Sequence, residues 1–305
     1  MGRKMERTYK ECVMNLIDVI IPTRNRKNVL LKVLPTYLKQ KYLNKVIIVD
    51  DAGEDNLKEE IEKINDPRIL YIRLEERKYL PAVRNIGVKN STAPYIFMGE
   101  DDVFLDDNHF EVLLKNLNGF NADLIAGRRI YLFDNQTFEE AKEFADKDKR
   151  PIFTKFPFEA YFERYISEPM EVKYLHSNAL IKREVFNVIL YDDWYKGNAF
   201  REELDFYLRC LDAGFKMILV PYAVCYHLKS KENRTGGART NRLIYEYYVW
   251  KNTIYCFRKN NKILSKHFNI KFPLIFAIIA LFFRYPYALY RRLSWKLKKF
   301  YNRIS

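Results

Sequence analysis

The first hundred residues alternate between apolar runs and helical patterns, and this alternation limits the folds open to the chain. Four runs rich in β-branched and aromatic residues are typical of buried strands: residues 16–21, 45–49, 69–72 and 95–98. Three intervening segments carry apolar residues at helical spacing: residues 28–39, 57–64 and 81–89. These repeats predict an α/β fold with a doubly wound, mixed but mainly parallel sheet, whose ligands bind beyond the carboxyl ends of the strands.

The rest of the chain is patterned less regularly. Further strands are predicted for residues 123–131, 174–181 and 220–226, and further helices for residues 182–189 and 200–213. Gly214 suits the left-handed residue that ends the last of these helices. The polar segment 134–157 lacks apolar periodicity, so we expect a mobile loop there.

The positive charge of the chain is concentrated at its C-terminal end. The sequence has 53 Lys and Arg against 39 Asp and Glu, a formal net charge of +14, but no acidic residue follows Glu246. The 13 Lys and Arg after that position make up nearly all of the excess. Because residues 1–246 are nearly neutral and no recognition motif is present, we expect no nucleic-acid partner.

Cysteine usage predicts a reducing compartment. Cys12, Cys210, Cys225 and Cys256 are widely separated and show no metal-ligand spacing. We therefore expect reduced thiols and a cytoplasmic protein. Residues 1–15 are polar and lack the apolar core of a secretory signal, which agrees with that expectation.

Three consecutive carboxylates, Glu100, Asp101 and Asp102, follow the apolar run at 95–98 after a single glycine. Crowded acids at a strand end repel one another unless a divalent cation and a polyphosphate neutralise them. The turn therefore predicts a metal and phosphate site, with a solvated acidic turn as the alternative.

Other polar residues follow neighbouring strands and should open onto the same sheet edge. Pro22, Thr23 and Arg26 follow the first strand, and Asp51 ends the second. Asp51 can accept the N–H of a pyrimidine base, while Thr23 and Arg26 can donate to base, ribose or phosphate. Arg84, in the third predicted helix, carries a guanidinium that can reach a diphosphate. Simpler alternatives are that Asp51 is a turn residue and that Arg84 is an exposed helix residue.

A second acidic group begins the helix predicted for residues 200–213. Glu202, Glu203 and Asp205 lie off its apolar stripe, and an ionised carboxylate there can accept a proton from an alcohol. Acidic residues also simply stabilise a helix N-terminus. His227 closes a strand-like run and is a candidate metal ligand or a structural histidine.

Taken together, the motifs resemble those of the inverting family 2 glycosyltransferases, which have a GT-A fold. They follow the family order between Ile17 and His227: Ile21-Pro22-Thr23-x-Asn25-Arg26, Val49-Asp50-Asp51, Arg84-Asn85-x-Gly87, Glu100-Asp101-Asp102 and Glu202-Glu203-x-Asp205. One departure is the Glu-Glu pair in the last motif, where the family usually has Glu-Asp. The resemblance implies a catalytic domain at 1–240, with a nucleotide-binding half at about 16–105 and an acceptor half at 106–240, and a helical basic extension at 241–305.

The resemblance also implies a role for each motif. Asp51 would recognise the nucleobase, Asp101 the ribose side, and Asp102 with His227 a Mn²⁺ or Mg²⁺ ion. Glu203 would be the general base, with Glu202 and Asp205 as alternatives. The remaining substrate-binding residues would be Pro22, Thr23, Arg26, Arg84 and Glu100. The donor would be a UDP- or dTDP-sugar, and the acceptor a glycan or polyprenyl-linked hydroxyl.

The C-terminal segment has the composition of a membrane-surface element. Residues 272–283 form an apolar run of 12 residues, shorter than the ~20 that a spanning helix needs. Residues 291–300 then mix cations with aromatic and aliphatic side chains, which suits an anionic membrane interface. We expect residues 268–305 to hold the protein on the inner face of the cell membrane; a packed helix with a solvated basic face is the alternative.

Two other functions are compatible with the sequence. One is a nucleotide-sugar-binding protein without turnover. The other is a basic adaptor for membranes or nucleic acid, which would not depend on Asp51 or Asp102.

Overall fold

The computed structural model describes residues 17–148, 150–156, 158–229, 241–284 and 286. The strands are β1 (Ile17–Thr23), β2 (Leu43–Asp50), β3 (Ile69–Arg73), β4 (Tyr95–Met98), β5 (Val103–Leu105), β6 (Leu124–Phe133), β7 (Phe153–Thr154), β8 (Glu159–Ala160), β9 (Met170–Glu171), β10 (Ala179–Lys182) and β11 (Met217–Lys229). The helices are α1 (Lys27–Leu38), α2 (Leu57–Ile64), α3 (Leu80–Asn90), α4 (His109–Gly119), α5 (Phe138–Asp146), α6 (Arg183–Val188), α7 (Glu202–Asp212), α8 (Arg242–Lys259), α9 (Asn261–Phe268) and α10 (Pro273–Arg284).

One large mixed sheet organises the described residues. Its strand order is β3-β2-β1-β4-β10-β6-β11-β5, and β9 pairs with β11. Strands β1 to β4 pair in parallel, as do β6 and β11, whereas β10 runs antiparallel between β4 and β6. The predicted α/β class with a mixed, mainly parallel sheet is confirmed.

Strand β1 shows why the sheet is covered on both faces. Its side chains alternate, so Val19 and Ile21 enter one apolar cluster with Leu30 of α1, while Ile20 enters another with Val88 of α3. All of these residues are buried. A nearly continuous apolar strand is typical of a parallel sheet that has helices on both faces.

The C-terminal helices share the core of the sheet domain. Cys256 and Phe257 of α8, Leu264 of α9 and Ala277 of α10 belong to the same buried cluster as Phe206 of α7. Among the described helices, none is long and apolar enough by itself to cross a membrane. Helices α9 and α10 satisfy the length and composition criteria only as a pair bent by 85°.

Two predictions for the middle of the chain are wrong. Residues 134–157, expected to be a loop, contain α5, which begins with a capping box in which Thr137 and Glu140 bind each other's backbone N–H. The buried face of α5 consists of Ala141 and Ala145, and such small side chains give a weak apolar pattern. The strand expected at 174–181 forms only from Ala179 onward. In addition, helix α4 has no counterpart among the predicted elements.

Candidate active site

Four strand ends deliver the predicted nucleotide-binding residues to one place. Because β1, β2 and β4 are parallel neighbours, the residues after them meet at the same edge of the sheet, where β11 adds His227. A cavity of about 250 Å³ is lined there by predicted residues Pro22, Thr23, Arg26, Asp51, Glu100, Asp101, Asp102 and His227. Their gathering at one edge follows directly from the parallel topology.

Arg26 partly offsets the negative charge of the acidic turn from within the protein. Its guanidinium donates to Asp101 Oδ1 at 2.6 Å and to Asp102 Oδ2 at 2.8 Å, and the Thr23 hydroxyl donates to Asp101 Oδ2 at 2.8 Å. Burial nevertheless raises the pKa of Asp101 to about 7, against the opposing charge of Arg26. The turn is therefore a buried, hydrogen-bonded cluster rather than a solvated one.

Asp102 and His227 are hydrogen-bonded to each other, at a separation that two adjacent ligands of one metal ion would also have. Asp102 Oδ2 and His227 Nε2 are 3.2 Å apart, close to the ~3 Å that separates neighbouring donors around an octahedral ion of ~2.1 Å bond length. Burial and the charge of Arg129 lower the pKa of His227, which favours the neutral, ligating imidazole. Burial would raise the pKa of Asp102, but the hydrogen bond from His227 and the charge and hydrogen bond of Arg26 hold it well below its usual range.

Within the described residues, no group of three or more His, Cys, Asp or Glu side chains could hold a metal ion. Mg²⁺ commonly binds through one or two protein carboxylates plus substrate phosphates. Asp102 and His227 thus fit a cation whose remaining ligands come from a nucleoside diphosphate and water.

Asp51 is held in place by the start of α3. Its carboxylate accepts the backbone N–H of Lys78 at 2.6 Å and that of Tyr79 at 3.1 Å. Tyr79 adopts a left-handed backbone conformation, with φ of 69°, at the N-cap of this helix. Each carboxylate oxygen has two lone pairs, so Asp51 can still accept a hydrogen bond from a ligand.

A second, larger cleft adjoins the smaller cavity at the strand ends. It has a volume of about 880 Å³, and both Glu202 and Glu203 lie in its wall. Glu100, Arg129 and His227 line the cleft as well as the smaller cavity. The two spaces therefore meet at these three side chains, with Asp102 lining only the smaller cavity and Glu203 only the larger cleft.

Arg84 lies beneath the start of α7 rather than in the smaller cavity at the strand ends. Its guanidinium is fully buried, donates a hydrogen bond to the carboxyl group of Glu202 and donates to Glu203 Oε1 at 3.2 Å. The geometry thus does not bring Arg84 to the position expected for a nucleotide ligand, and it is not the exposed helix residue of the alternative either. It contacts the wall of the larger cleft through the two glutamates.

Asp205 is the other predicted residue that lines neither space. It is fully buried and accepts hydrogen bonds from Asn260 at 2.7 Å, Arg209 at 2.9 Å and Lys259 at 3.0 Å. Its carboxylate joins α7 to the C-terminal helices. Of the three acidic residues of α7, the larger cleft is therefore lined only by Glu202, which is 2% exposed, and Glu203, whose side chain is 32% exposed.

Sequence reasoning missed Arg129. This residue of β6 donates to Glu100 Oε2 at 2.6 Å, while Ser177 donates to Glu100 Oε1 at 2.8 Å. Arg129 lies where the two spaces join. The signal was present in the sequence, since Arg128 and Arg129 interrupt an otherwise apolar strand.

Comparison with known proteins gives related sequences and folds. GlyA, a glycosyltransferase of Streptococcus pneumoniae serotype 4, is 32% identical over 114 residues, covering 36% of this chain and 16% of GlyA. WfgD of Escherichia coli, a UDP-Glc:alpha-D-GlcNAc-diphosphoundecaprenol beta-1,3-glucosyltransferase, is 26% identical over 106 residues, covering 33% of this chain and 42% of WfgD. In each case the match spans less than half of the relative's length.

A solved structure has a similar fold over most of the length of this chain. GalNAc-T7, crystallised with UDP, GalNAc and Mn²⁺, aligns with a TM-score of 0.62 at 16% identity, covering 86% of this chain and 56% of GalNAc-T7. The likeness confirms the GT-A fold. The profile of Glycosyl transferase family 2 matches residues 18–190, more than half of the chain. This chain therefore belongs to glycosyl transferase family 2.

Proposed function

We propose that this protein is an inverting, metal-dependent glycosyltransferase that moves a sugar from a UDP- or dTDP-sugar to a hydroxyl of a glycan or lipid-linked acceptor. The observation that supports this most is the junction of the two spaces, with Asp51, Asp102 and His227 on one side and Glu203 on the other. Family membership supports sugar transfer. The UDP-Glc in the name of WfgD and the UDP bound in the crystal structure of GalNAc-T7 support the donor.

In this proposal the smaller cavity holds the nucleotide. Asp51 accepts the N–H of the pyrimidine ring, and the pair of Thr23 and Asp101 faces the ribose. A divalent cation held by Asp102 and His227 would offset the charge of the departing diphosphate. Arg26, which already contacts both aspartates, keeps them in place.

Glu203 acts on the acceptor in the larger cleft. Its partly exposed carboxylate accepts the proton of the acceptor hydroxyl while that oxygen attacks the anomeric carbon. The bond from the anomeric carbon to the diphosphate oxygen breaks on the opposite face of the sugar, so its configuration inverts. Arg84 fixes the orientation of Glu203 through the hydrogen bond from its Nη2.

A donor screen followed by a single substitution tests the transfer reaction. Full-length protein is heated with a panel of UDP- and dTDP-sugars and Mn²⁺, since a ligand that binds the folded state raises its thermal stability. With the donor so found, Glu203→Gln should lower the rate of transfer by roughly 10²–10⁴-fold and keep nucleotide affinity. Glu184→Gln, on an exposed side chain, is the matched control.

Either of two results would contradict the proposal. Unchanged turnover in Glu203→Gln would move the base elsewhere. Tight binding of nucleotide sugars without diphosphate release, over many acceptors, would indicate a binding protein.

Metal dependence is tested separately by calorimetry of UDP binding. Asp102→Asn should lower the Mn²⁺-dependent part of UDP affinity by about ten-fold or more, because one of two protein ligands is weakened. Asp107→Asn, at an exposed site, should not. Equal Mn²⁺ dependence in wild type and Asp102→Asn would exclude this role.

For localisation we propose peripheral attachment to the inner face of an anionic membrane. Helix α10 supports this because its large apolar side chains point outward. The basic segment 291–300 lies outside the described residues.

A further inference from the structure

The larger cleft contains an arginine, Arg201, that forms no ion pair with any residue the structure describes. Four arginines line this cleft: Arg129, Arg150, Arg201 and Arg284. Three of them form ion pairs, Arg129 with Glu100 at 2.6 Å, Arg150 with Glu163 at 2.8 Å, and Arg284 with Glu246 at 3.0 Å. Within the described part of the chain, Arg201 has no carboxylate within ion-pair distance.

The contacts of Arg201 leave most of its donors unused. One guanidinium nitrogen donates to the Phe158 carbonyl at 3.1 Å, and the buried Nε has no hydrogen-bond partner. The guanidinium carbon lies 4.9 Å from the centre of the Phe200 ring and 6.0 Å from that of Phe257. A cation in such surroundings is costly unless an anion pairs with it.

A second cation lies nearby. Arg284 of α10 contacts the same Phe200 ring, at 5.5 Å, so the two guanidinium groups flank one aromatic side chain. Burial lowers the pKa of Arg201, and the charge of Arg284 adds a smaller effect in the same direction, although the charge of Glu159 opposes them. An incoming anion would relieve both effects.

The position of Arg201 relates it to the acceptor. It stands two residues before Glu203, at the N-cap of α7, and both side chains line the cleft. Ala277, Ala280 and Leu281 of α10 continue the wall as an apolar surface. The cleft thus offers a base, a cationic group and an apolar surface in one continuous space.

We propose that Arg201, assisted by Arg284, binds a phosphate group that the acceptor carries next to its reacting sugar. This inference rests on the proposed function and names the acceptor class, a phosphorylated or diphosphate-linked sugar. The guanidinium fork suits phosphate, since it can donate two parallel hydrogen bonds. The phosphate can belong to a lipid, whose chain would lie over α10, or to a free sugar phosphate.

Calorimetry on full-length protein saturated with UDP and Mn²⁺ tests the proposal, because the donor site is then closed to added phosphates. Pyrophosphate and geranyl diphosphate are the two probes. Arg201→Gln should weaken the binding of both by roughly 10- to 100-fold, the loss expected for a charge-assisted bond. Arg258→Gln removes the same charge from an exposed position of α8 and should leave affinity unchanged.

The two probes distinguish the sources of the phosphate. Geranyl diphosphate binding at least ten-fold tighter than pyrophosphate would assign the site to a lipid-linked acceptor. Equal affinities for the two probes would assign it to a free phosphorylated acceptor. Equal affinity of wild type and Arg201→Gln, or equal losses in Arg201→Gln and Arg258→Gln, would overturn the proposal.

Two further controls keep the test decisive. If Arg201→Gln does not fold, Arg201→Lys and Arg284→Gln take its place. Each of these variants should bind the probes several-fold more weakly than wild type. Unchanged affinity in both variants would reject the site. Failure of UDP to bind would instead count against the proposed function, which these phosphate titrations do not measure.

Discussion

Three acidic residues on one helical turn of α7 have entirely different environments. Glu203 faces the cleft, Glu202 is buried against Arg84, and Asp205 is buried against the C-terminal helices. Residues one to three positions apart on a helix point in different directions, so each meets a different neighbour. The sequence places all three near the site but does not say which one faces the acceptor.

Asp205 should contribute to stability and not to the reaction. Asp205→Ala leaves Asn260, Lys259 and Arg209 without their shared acceptor and should lower the free energy of unfolding by about 3 kcal/mol. The measurement is urea unfolding, together with the transfer rate per folded molecule, which should stay near that of wild type.

A matched control for this prediction lies on the same helix. Asp212 pairs with Lys266 of α9 but is 41% exposed, so Asp212→Ala should cost less than about 1 kcal/mol. Equal stability losses in the two variants, or a transfer rate lost in Asp205→Ala alone, would contradict the assignment.

Glu202 should make stability depend on pH. Burial raises the pKa of Glu202 to about 8; Arg84 opposes the shift, whereas Glu203, Glu100 and Asp205 add to it. Between the ordinary value of 4.5 and about 8, the folded protein therefore keeps a proton that the unfolded chain has released. Because the folded state binds more protons there, the free energy of unfolding should fall as pH rises through this range.

Glu202→Gln checks the origin of this slope, because glutamine is neutral at every pH. Urea unfolding measured across the same range should show a flatter decline in the variant than in wild type. Glu184→Gln, at an exposed site, should keep the wild-type slope. Parallel curves for wild type and Glu202→Gln would show that Glu202 is ionised throughout.

At the scale of elements, the position of Arg84 depends on how closely α3 packs on β1. Gly87, one turn after Arg84, faces Ile20, and a Cβ atom at Gly87 would lie 2.3 Å from Ile20 Cγ2. Ile20 is fully buried and cannot move aside. The glycine of the Arg-Asn-x-Gly motif thus sets the depth at which Arg84 reaches the glutamates of α7.

Gly87→Ala should destabilise the protein by about 1–3 kcal/mol, because the added methyl group overpacks the helix–strand contact. Gly119→Ala is the control, since nothing lies within 4 Å of the corresponding Cβ position at the end of α4. It should be neutral or slightly stabilising. Thermal and urea unfolding compare the two; a loss in Gly119→Ala as large as that in Gly87→Ala would remove the packing explanation.

The elements that the sequence predicted best are those with large buried side chains. Strands β1, β2 and β4 are nearly continuous apolar runs, and α1 presents a clear apolar stripe. Helix α5 was missed because alanines form its buried face, and its capping box was the available signal.

At the scale of the whole molecule, α10 is apolar on the side that faces away from the core. Ala277, Ala280 and Leu281 pack inward, while the outward positions are large: Leu274, Ile275, Ile278, Ile279, Phe282 and Phe283 are 36–66% exposed. An exposed apolar face of this size is typical of an interaction surface. The proposed membrane contact would cover it.

Paired substitution of Ile275→Glu and Ile279→Glu should reduce binding to anionic phosphatidylglycerol vesicles by roughly ten-fold or more, since burying one such side chain contributes about 1.5–3 kcal/mol. Flotation of full-length protein measures this. Val188→Glu, on an exposed apolar residue of α6, should float like wild type. If the paired variant floats as well as wild type, α10 is not the contact.

The sequence by itself determined the α/β class, most strands of the sheet and the acidic and basic residues that end them. These features are local, because apolar periodicity and strand-end residues are written in neighbouring positions. The tertiary structure decided what those residues touch: Arg84 and Asp205 lie away from the cavities, Arg129 joins them, and Arg201 forms no ion pair within the described part of the chain. Such contacts join positions as far apart as 119 residues for Arg84 and Glu203 and 125 residues for Asp102 and His227, and no local pattern encodes them.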